Sequence, residues 1–301
     1  MTKLLDGFVP YRTEDAERYK KRGWWGGQTF GDILDRAADR YPDKEALVDG
    51  ATRLTFSQAR DKVNRLAIGL INLGIEPTER VLVQLPNWNE FVHVYFALQK
   101  IGAIDVLLID RYRPYEINYL IGLTGATTWV LPWKYKKTDY LPIIEEVLKE
   151  SRRMKNVIFA RGGDQRDYLS LETLIEGAEL TQRNMTVLAQ KRPDPMQVAH
   201  MGPTGGTTGL PKVVPRTHND LICGSEYAAS FSRVNPIAGY RFVEVPDVPV
   251  RDARLAVHEL ARHLRARARP APRRAFWSTA TWTRPGRGIW WRPSSRAPGC
   301  A

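Results

Sequence analysis

Cysteine is nearly absent from this sequence. Cys223 and Cys300 stand alone, so there is no disulfide framework and no cysteine-based metal spacing. No apolar run is long enough to cross a bilayer, and the opening Met1-Thr-Lys-Leu-Leu-Asp-Gly7 lacks the apolar centre of a secretion signal. A soluble protein of the reducing cytoplasm is expected, with no membrane partner. Lysine and acidic residues are missing from the far end: residues 261–301 hold ten arginines and no Lys, Asp or Glu. The net charge of +12 would by itself suggest a nucleic acid or an anionic surface as partner. Its location argues otherwise. Residues 1–232 carry 31 basic against 29 acidic side chains, whereas residues 233–301 carry 14 arginines against four acids. The body is almost neutral and the basicity belongs to the tail, so nucleic acid is not the favoured partner.

What is present is enough for a core. The 301 residues are 43% hydrophobic and 10% aromatic, which suits one large domain or two ordinary ones. Residues 1–28 read as an ordered N-terminal arm, because Trp24 and Trp25 would be costly to leave wet. Thr29 to Tyr41 has apolar residues at helical spacing, with Thr29 as N-cap and Asp32 three residues on. Short strands at Ala46–Val48 and Leu54–Phe56 flank the turn Asp49-Gly50, and Ser57 is expected to cap a helix to about Leu73. Beyond it, continuous apolar runs (81–86, 105–110, 127–131 and 156–160) alternate with helical stretches (88–101, 114–123, 141–149 and 171–176). Apolar runs without alternation suit strands buried on both faces, and strand–helix alternation implies crossover connections. The fold class is therefore α/β, a mostly parallel sheet. Residues 178–196 are polar and read as a linker. Arg111, Arg113 and Glu116 read as solvated charges, and Lys134, Lys136 and Lys137 beside Trp133 and Tyr135 as a surface loop.

The most informative stretch is Thr204-Gly-Gly-Thr-Thr-Gly-Leu-Pro-Lys212. Gly205, Gly206 and Gly209 leave room for close backbone approach, and successive N–H groups in such a loop can form an anion-binding concavity. Thr204, Thr207 and Thr208 add hydroxyls and Lys212 adds a mobile positive charge. The combination suits a polyphosphate. Surface loops rich in Gly and Thr are common, so composition alone does not carry this reading. The spacing is not a Walker A loop either, since Leu-Pro precedes the lysine and Val213 follows it. An apolar approach from Val198 to Met201, with one polar interruption, would deliver the loop from a strand end. Thr217 or Asn219 is placed to cap a following helix to about Ser232, and a loop feeding a helix N-terminus is a good place for phosphate. His218 reads as a structural histidine or a helix-end contact rather than a base.

The order Thr-Gly-Gly-Thr-Thr-Gly-x-Pro-Lys closely resembles the phosphate-binding signature of the AMP-forming synthetase and ligase superfamily. The continuation Val213-Val-Pro-Arg-Thr-His-Asn-Asp220 resembles the branch that adenylates aromatic acids, such as 2,3-dihydroxybenzoate–AMP ligases. Leu54-Thr-Phe-Ser57, the entry from Gly74 to Val81, the Leu-Pro-Asn at 85–87 and the Ala-Leu-x-Lys-x-Gly-Ala at 97–103 are similar to family features. The resemblance covers about residues 7–235. It implies ATP-dependent activation of a small aromatic acid as an acyl-adenylate, with pyrophosphate released. Transfer to coenzyme A or a carrier-protein pantetheine would follow. ATP with Mg2+ would be the nucleotide, and Thr204, Gly205, Gly206, Thr207, Thr208, Gly209 and Lys212 would hold its phosphates.

Beyond about Pro236 the character changes. Four of the nine tryptophans lie between Trp277 and Trp291, and neither helical nor strand periodicity survives past Pro270. The family's His-Asn pocket motif has no counterpart; Val245-Pro-Asp-Val-Pro249 stands near its place. Also unmatched are the adenine and magnesium motif, the ribose aspartate and the catalytic lysine. Arginine, proline and tryptophan in excess, with lysine absent, is the signature of GC-rich DNA read out of frame. Three regions are expected: an arm (1–28), a partial AMP-binding domain (29–235), and a frameshifted, disordered basic tail (236–301) with an early stop. The alternatives are a non-catalytic remnant, and a genuine Arg/Trp tail that binds nucleic acid.

Overall fold

The computed structural model describes residues 5–162, 168–204, 210–231, 282–283 and 290–291. The N-terminal arm contains a helix, α1 (Thr13–Lys21), which buries none of its own side chains. The arm is held by aromatic contacts instead. Tyr11 and Tyr19 meet Trp25 edge-on at 4.9 and 5.0 Å, and Trp25 is 6% exposed. Trp24 departs from expectation: it is 46% exposed and stacks under the Arg22 guanidinium, 4.9 Å from the ring centre. A cation over the ring makes partial exposure tolerable.

Helix α2 (Phe30–Arg40) starts at Thr29, whose side chain and that of Asp32 form a reciprocal capping box. Strands β1 (Glu45–Asp49) and β2 (Thr52–Thr55) form a separate antiparallel pair around Gly50. Helix α3 (Phe56–Asn72) is capped by Thr55, not by Ser57. Thr55 Oγ1 accepts from Gln58 N and Gln58 Oε1 accepts from Thr55 N, so the Thr-x-x-Gln spacing decides the start.

The remaining elements follow in order: β3 (Arg80–Val83), α4 (Asn89–Ile101), β4 (Ile104–Leu107), α5 (Pro114–Thr124) and β5 (Thr128–Pro132). A small hairpin, β6 (Lys134–Tyr135) with β7 (Thr138–Asp139), leads to α6 (Leu141–Glu150) and β8 (Asn156–Ala160). Then come β9 (Leu169–Ser170), α7 (Leu171–Glu176), α8 (Gln182–Gln190), β10 (Val198–Pro203), β11 (Val213–Thr217) and α9 (His218–Phe231). The lysine-rich stretch is thus a surface hairpin, with Lys134 3.4 Å from Asp139. Asn87 does not cap α4; Asn89 N donates to Asp49 Oδ2 instead. The expected linker 178–196 contains α8. Its start is fixed by Thr181, which accepts from Asn184 N, and Leu188 is its one buried residue. A helix that buries so little has almost no apolar period to read.

The central sheet has the order β11-β10-β4-β3-β5-β8-β9. All its neighbours are parallel except β10 with β11. The mostly parallel α/β class is therefore present. One face carries α3 and α4 over Val81, Val83, Val130 and Ile158. The other carries α5 and α6 over Leu82, Ile104, Val106 and Trp129. Burial on both faces explains why the strand sequences are continuously apolar. β4 lies on one side of β3 and β5 on the other, so the winding reverses beside β3. In such sheets ligands sit outside the carboxyl ends of the strands near that reversal.

In the far segment, β12 (Trp282–Thr283) and β13 (Trp290–Trp291) pair antiparallel, a short ladder that the sequence pattern does not signal. The rest of the expected tail lies outside the described residues.

Candidate functional site

The stretch 204–212 sits between two strands. β10 is drawn into the sheet by Val198, Ala199 and Met201, all buried, and runs parallel to β4. It therefore ends at the carboxyl edge of the sheet, as expected of a loop delivered by a strand. β11 returns antiparallel, with Pro203 opposite Val213 and Gly202 opposite Val214. The neck is closed twice: Thr204 N donates to Lys212 O at 2.7 Å, and Lys212 N donates to Thr204 Oγ1 at 3.2 Å. Thr204 and Lys212 are both exposed. Of the candidate phosphate contacts, the structure brings these two together. Gly205, Gly206, Thr207, Thr208 and Gly209 lie outside the described residues.

The helix after the loop lies where the sequence reading puts it, from a Thr217 cap to about Ser232, but the loop does not feed it directly. β11 intervenes, and α9 begins at its far end, about 17 Å of extended chain from Lys212. The α9 N-terminus is therefore no phosphate site for this loop. Thr217, not Asn219, caps it: Thr217 Oγ1 accepts from Asp220 N at 3.1 Å and Asp220 Oδ2 accepts from Thr217 N at 3.0 Å. Asp220 also accepts from the Tyr11 hydroxyl at 2.8 Å, which fastens the N-terminal arm to this helix. Burial, and then the Asp220 charge, hold the Tyr11 hydroxyl far above its ordinary ionisation range.

His218 is buried and its Nδ1 accepts from Phe30 N at 3.4 Å. Burial pushes its pKa down to about 4, so at neutral pH it is an uncharged structural side chain. This agrees with the structural reading of that histidine. Arg113 donates to the carbonyls of Asp110 and Tyr112, both at 3.0 Å, and its own N–H meets Glu116; these are local turn and cap contacts.

A second constellation lies beside the hairpin and escapes the sequence reading. His200 on β10 and Asp105 on β4 are register partners, with Nδ1 2.7 Å from Asp105 Oδ2. Gln99 of α4 donates to Asp105 Oδ1 at 2.8 Å and to Ala199 O at 3.1 Å. The available signal was one polar residue in each of two otherwise apolar strands. At the same carboxyl edge, Arg161 after β8 joins Asp49 and Glu90 and lies 4.0 Å over the Trp88 ring. This cluster sets one guanidinium between two carboxylates and ties three segments together. Two clefts of roughly 290 Å³ each flank Asn72 of α3 and do not touch the hairpin. Among the described residues no three His, Cys, Asp or Glu side chains converge as a cation site. Among them, too, no helix is long and apolar enough to cross a membrane.

The arrangement can hold an extended anion. It offers two neck residues with exposed polar side chains, one of them a lysine, at the sheet edge where such folds bind ligands. A family model described as AMP-binding enzyme matches residues 34–243. A 2,3-dihydroxybenzoate-AMP ligase of Bacillus subtilis is 37% identical over 220 residues, covering 73% of this chain and 39% of that protein. A salicylyl-CoA synthase / salicylate adenylyltransferase of a Streptomyces species is 35% identical, over 79% of this chain and 44% of the relative. The apo structure of Mycobacterium smegmatis MbtA superposes with a TM-score of 0.66 at 30% identity, over 76% of this chain and 41% of that one. The chain spans about two fifths of the length of the relatives it matches.

Proposed function

The chain belongs to the AMP-binding enzyme family, and from that premise we propose that its fold serves the ATP-dependent activation of an aromatic carboxylic acid. The acid's carboxylate attacks the α-phosphate of ATP, giving an acyl-adenylate and pyrophosphate. The acyl group then passes to a thiol, either coenzyme A or a carrier-protein pantetheine. The observation that carries this is the closed neck Thr204–Lys212, at the carboxyl edge of the sheet and within the matched residues. Alignment and charge neutralisation do most of the work in transfer at phosphorus. In this reading the residues 204–209 and Lys212 hold the β and γ phosphates and steady the leaving pyrophosphate. Magnesium would travel with the nucleotide and would offset part of its phosphate charge.

The relatives named for 2,3-dihydroxybenzoate and salicylate support an aryl acid as the substrate class. The AMP-binding body is read as residues 29–235, and the family match spans 34–243. In this reading residues 236–301 form no part of the nucleotide site. The 301 residues as they stand are expected to bind polyphosphate without turning over, because the later family motifs have no counterpart here. Preorganised charge of the kind those motifs supply is usually the largest catalytic term. The test is aryl-acid-dependent exchange of pyrophosphate into ATP, with 2,3-dihydroxybenzoate and salicylate as acids and protein of verified mass. Background exchange is expected; acid-dependent exchange would overturn the inactivity of this chain while supporting its substrate class.

A further inference from the structure

Two guanidinium groups converge at the amino edge of the sheet. Arg80, the first residue of β3, is half-buried, and Arg153, in the turn between α6 and β8, is exposed. Arg80 Nη2 lies 2.9 Å and Arg153 Nη1 3.1 Å from the place a Cβ would occupy on Gly125, so both reach one spot over that residue. Gly125 ends α5 in the left-handed conformation, φ 69°, and its missing side chain leaves the spot open. Like charges gathered this closely repel, and partial burial strengthens the repulsion. Among the described residues neither guanidinium forms an ion pair with a carboxylate. Nearby Glu79 is engaged elsewhere, with the Glu76 N–H at 2.8 Å, the Thr127 hydroxyl at 3.2 Å and the Lys155 ammonium at 3.9 Å.

Arg80 is held in place. Its Nε donates to Thr124 O at 2.8 Å and its Nη1 to Thr78 O at 3.0 Å, which leaves Nη2 over. Thr78 presents that carbonyl from a left-handed backbone, φ 69°, which a β-branched residue rarely adopts. The carbonyl end of α5 would by itself repel an anion, but its Thr124 carbonyl is covered by Arg80. Burial weighs most against the Arg80 charge; Glu79 favours it and Arg153 opposes it. Among the described residues the Arg153 side chain makes no hydrogen bond, so its donors remain available. The planar fork of arginine matches phosphate oxygens in a bidentate way. We propose that Arg80 and Arg153 form an anion site that takes a small phosphate dianion from solution between their guanidinium groups. The site lies at the opposite edge of the sheet from the Thr204–Lys212 hairpin and does not rest on the reading of that hairpin.

The test is the melting temperature of the full chain against inorganic phosphate, with chloride holding the ionic strength constant. A ligand that binds only the folded state raises the melting temperature in a saturable way, which yields its affinity. General salting-out by phosphate raises wild type and variant alike. Arg153→Met keeps the aliphatic stem and removes the guanidinium. It is expected to bind phosphate about tenfold more weakly, the loss of one charge-assisted contact. Without phosphate it is expected to melt no lower than the wild type, because a like charge has gone. An arginine that merely stacks would instead leave the variant less stable without phosphate and equally responsive to it. Equal phosphate affinity in wild type and Arg153→Met overturns the proposal, and so does a wild type that shows no saturable response. Lys212→Ala must keep the wild-type response; if it alone abolishes it, phosphate sits at the hairpin and the proposal falls. Should Arg153→Met fail to melt cooperatively, Arg153→Gln, which also loses the charge, is read in its place against the same outcomes.

Discussion

Two buried histidines set the acid limit of this molecule. His93 and His218 are both buried, and burial pushes each pKa down to about 4. Nearby Lys62 pushes His93 further the same way. In the unfolded chain both return to about 6.5. Between those values the unfolded state binds more protons, so this stability is present above pH 6.5 and is lost as pH falls toward 4. Each histidine contributes on the order of 3 kcal/mol across that window. Among the described residues, His93 Nε2 is also buried without a hydrogen-bond partner. His93→Leu, of similar volume, is therefore expected to melt at least as high as the wild type at pH 7 and to lose less on going to pH 4.5. Thermal melts at the two pH values check this; an undiminished acid loss in the variant would contradict it. His218 was legible as structural from its place at a helix start. His93 was not, because a helical histidine gives no sign of burial until α3 packs on α4.

At the scale of elements, the sequence spoke most clearly where local chemistry and burial agreed. The Thr29–Asp32 capping box and the apolar strands were readable because each carries its own signal. Thr55 against Ser57 was a choice between two hydroxyls three residues from different partners, and the reciprocal Gln58 decided it. Helix α8 was missed because its single buried residue leaves no period. The phosphate expected at α9 was misplaced because β11 reads as part of a loop until its ladder with β10 is seen. The packing of α3 on α7 gives a sharp prediction. A Cβ at Gly69 would lie 2.6 Å from the Leu174 carbonyl oxygen, backbone that cannot swing aside. Gly69→Ala is expected to cost about 1–3 kcal/mol by overpacking, despite the better helix propensity of alanine. Gly122→Ala in α5, with open space around it, is expected to be neutral or stabilising. Denaturant melts of the two variants check this; equal stabilities would mean that the α3–α7 contact yields.

At the scale of the whole molecule, the sheet is finished differently at its two edges. β9 is two residues long, while β11 is an edge strand carrying Pro215 and Arg216. Short strands, proline and charge discourage pairing with other chains at an exposed edge. The stretch Thr204–Lys212 stands out in the sequence as candidate phosphate chemistry through the order of its glycines, threonines and lysine. The His200–Asp105–Gln99 network was not legible, because it joins residues from β10, β4 and α4 that only the crossover topology brings together.

Retention of a polyphosphate by the hairpin is tested by 31P spectra of ATP titrated with the full chain. The β and γ resonances are expected to broaden and shift with wild-type protein, and Lys212→Ala to weaken this by about tenfold, the loss of one charge-assisted contact. Unperturbed β and γ resonances with wild-type protein, or equal perturbation by Lys212→Ala, would contradict it.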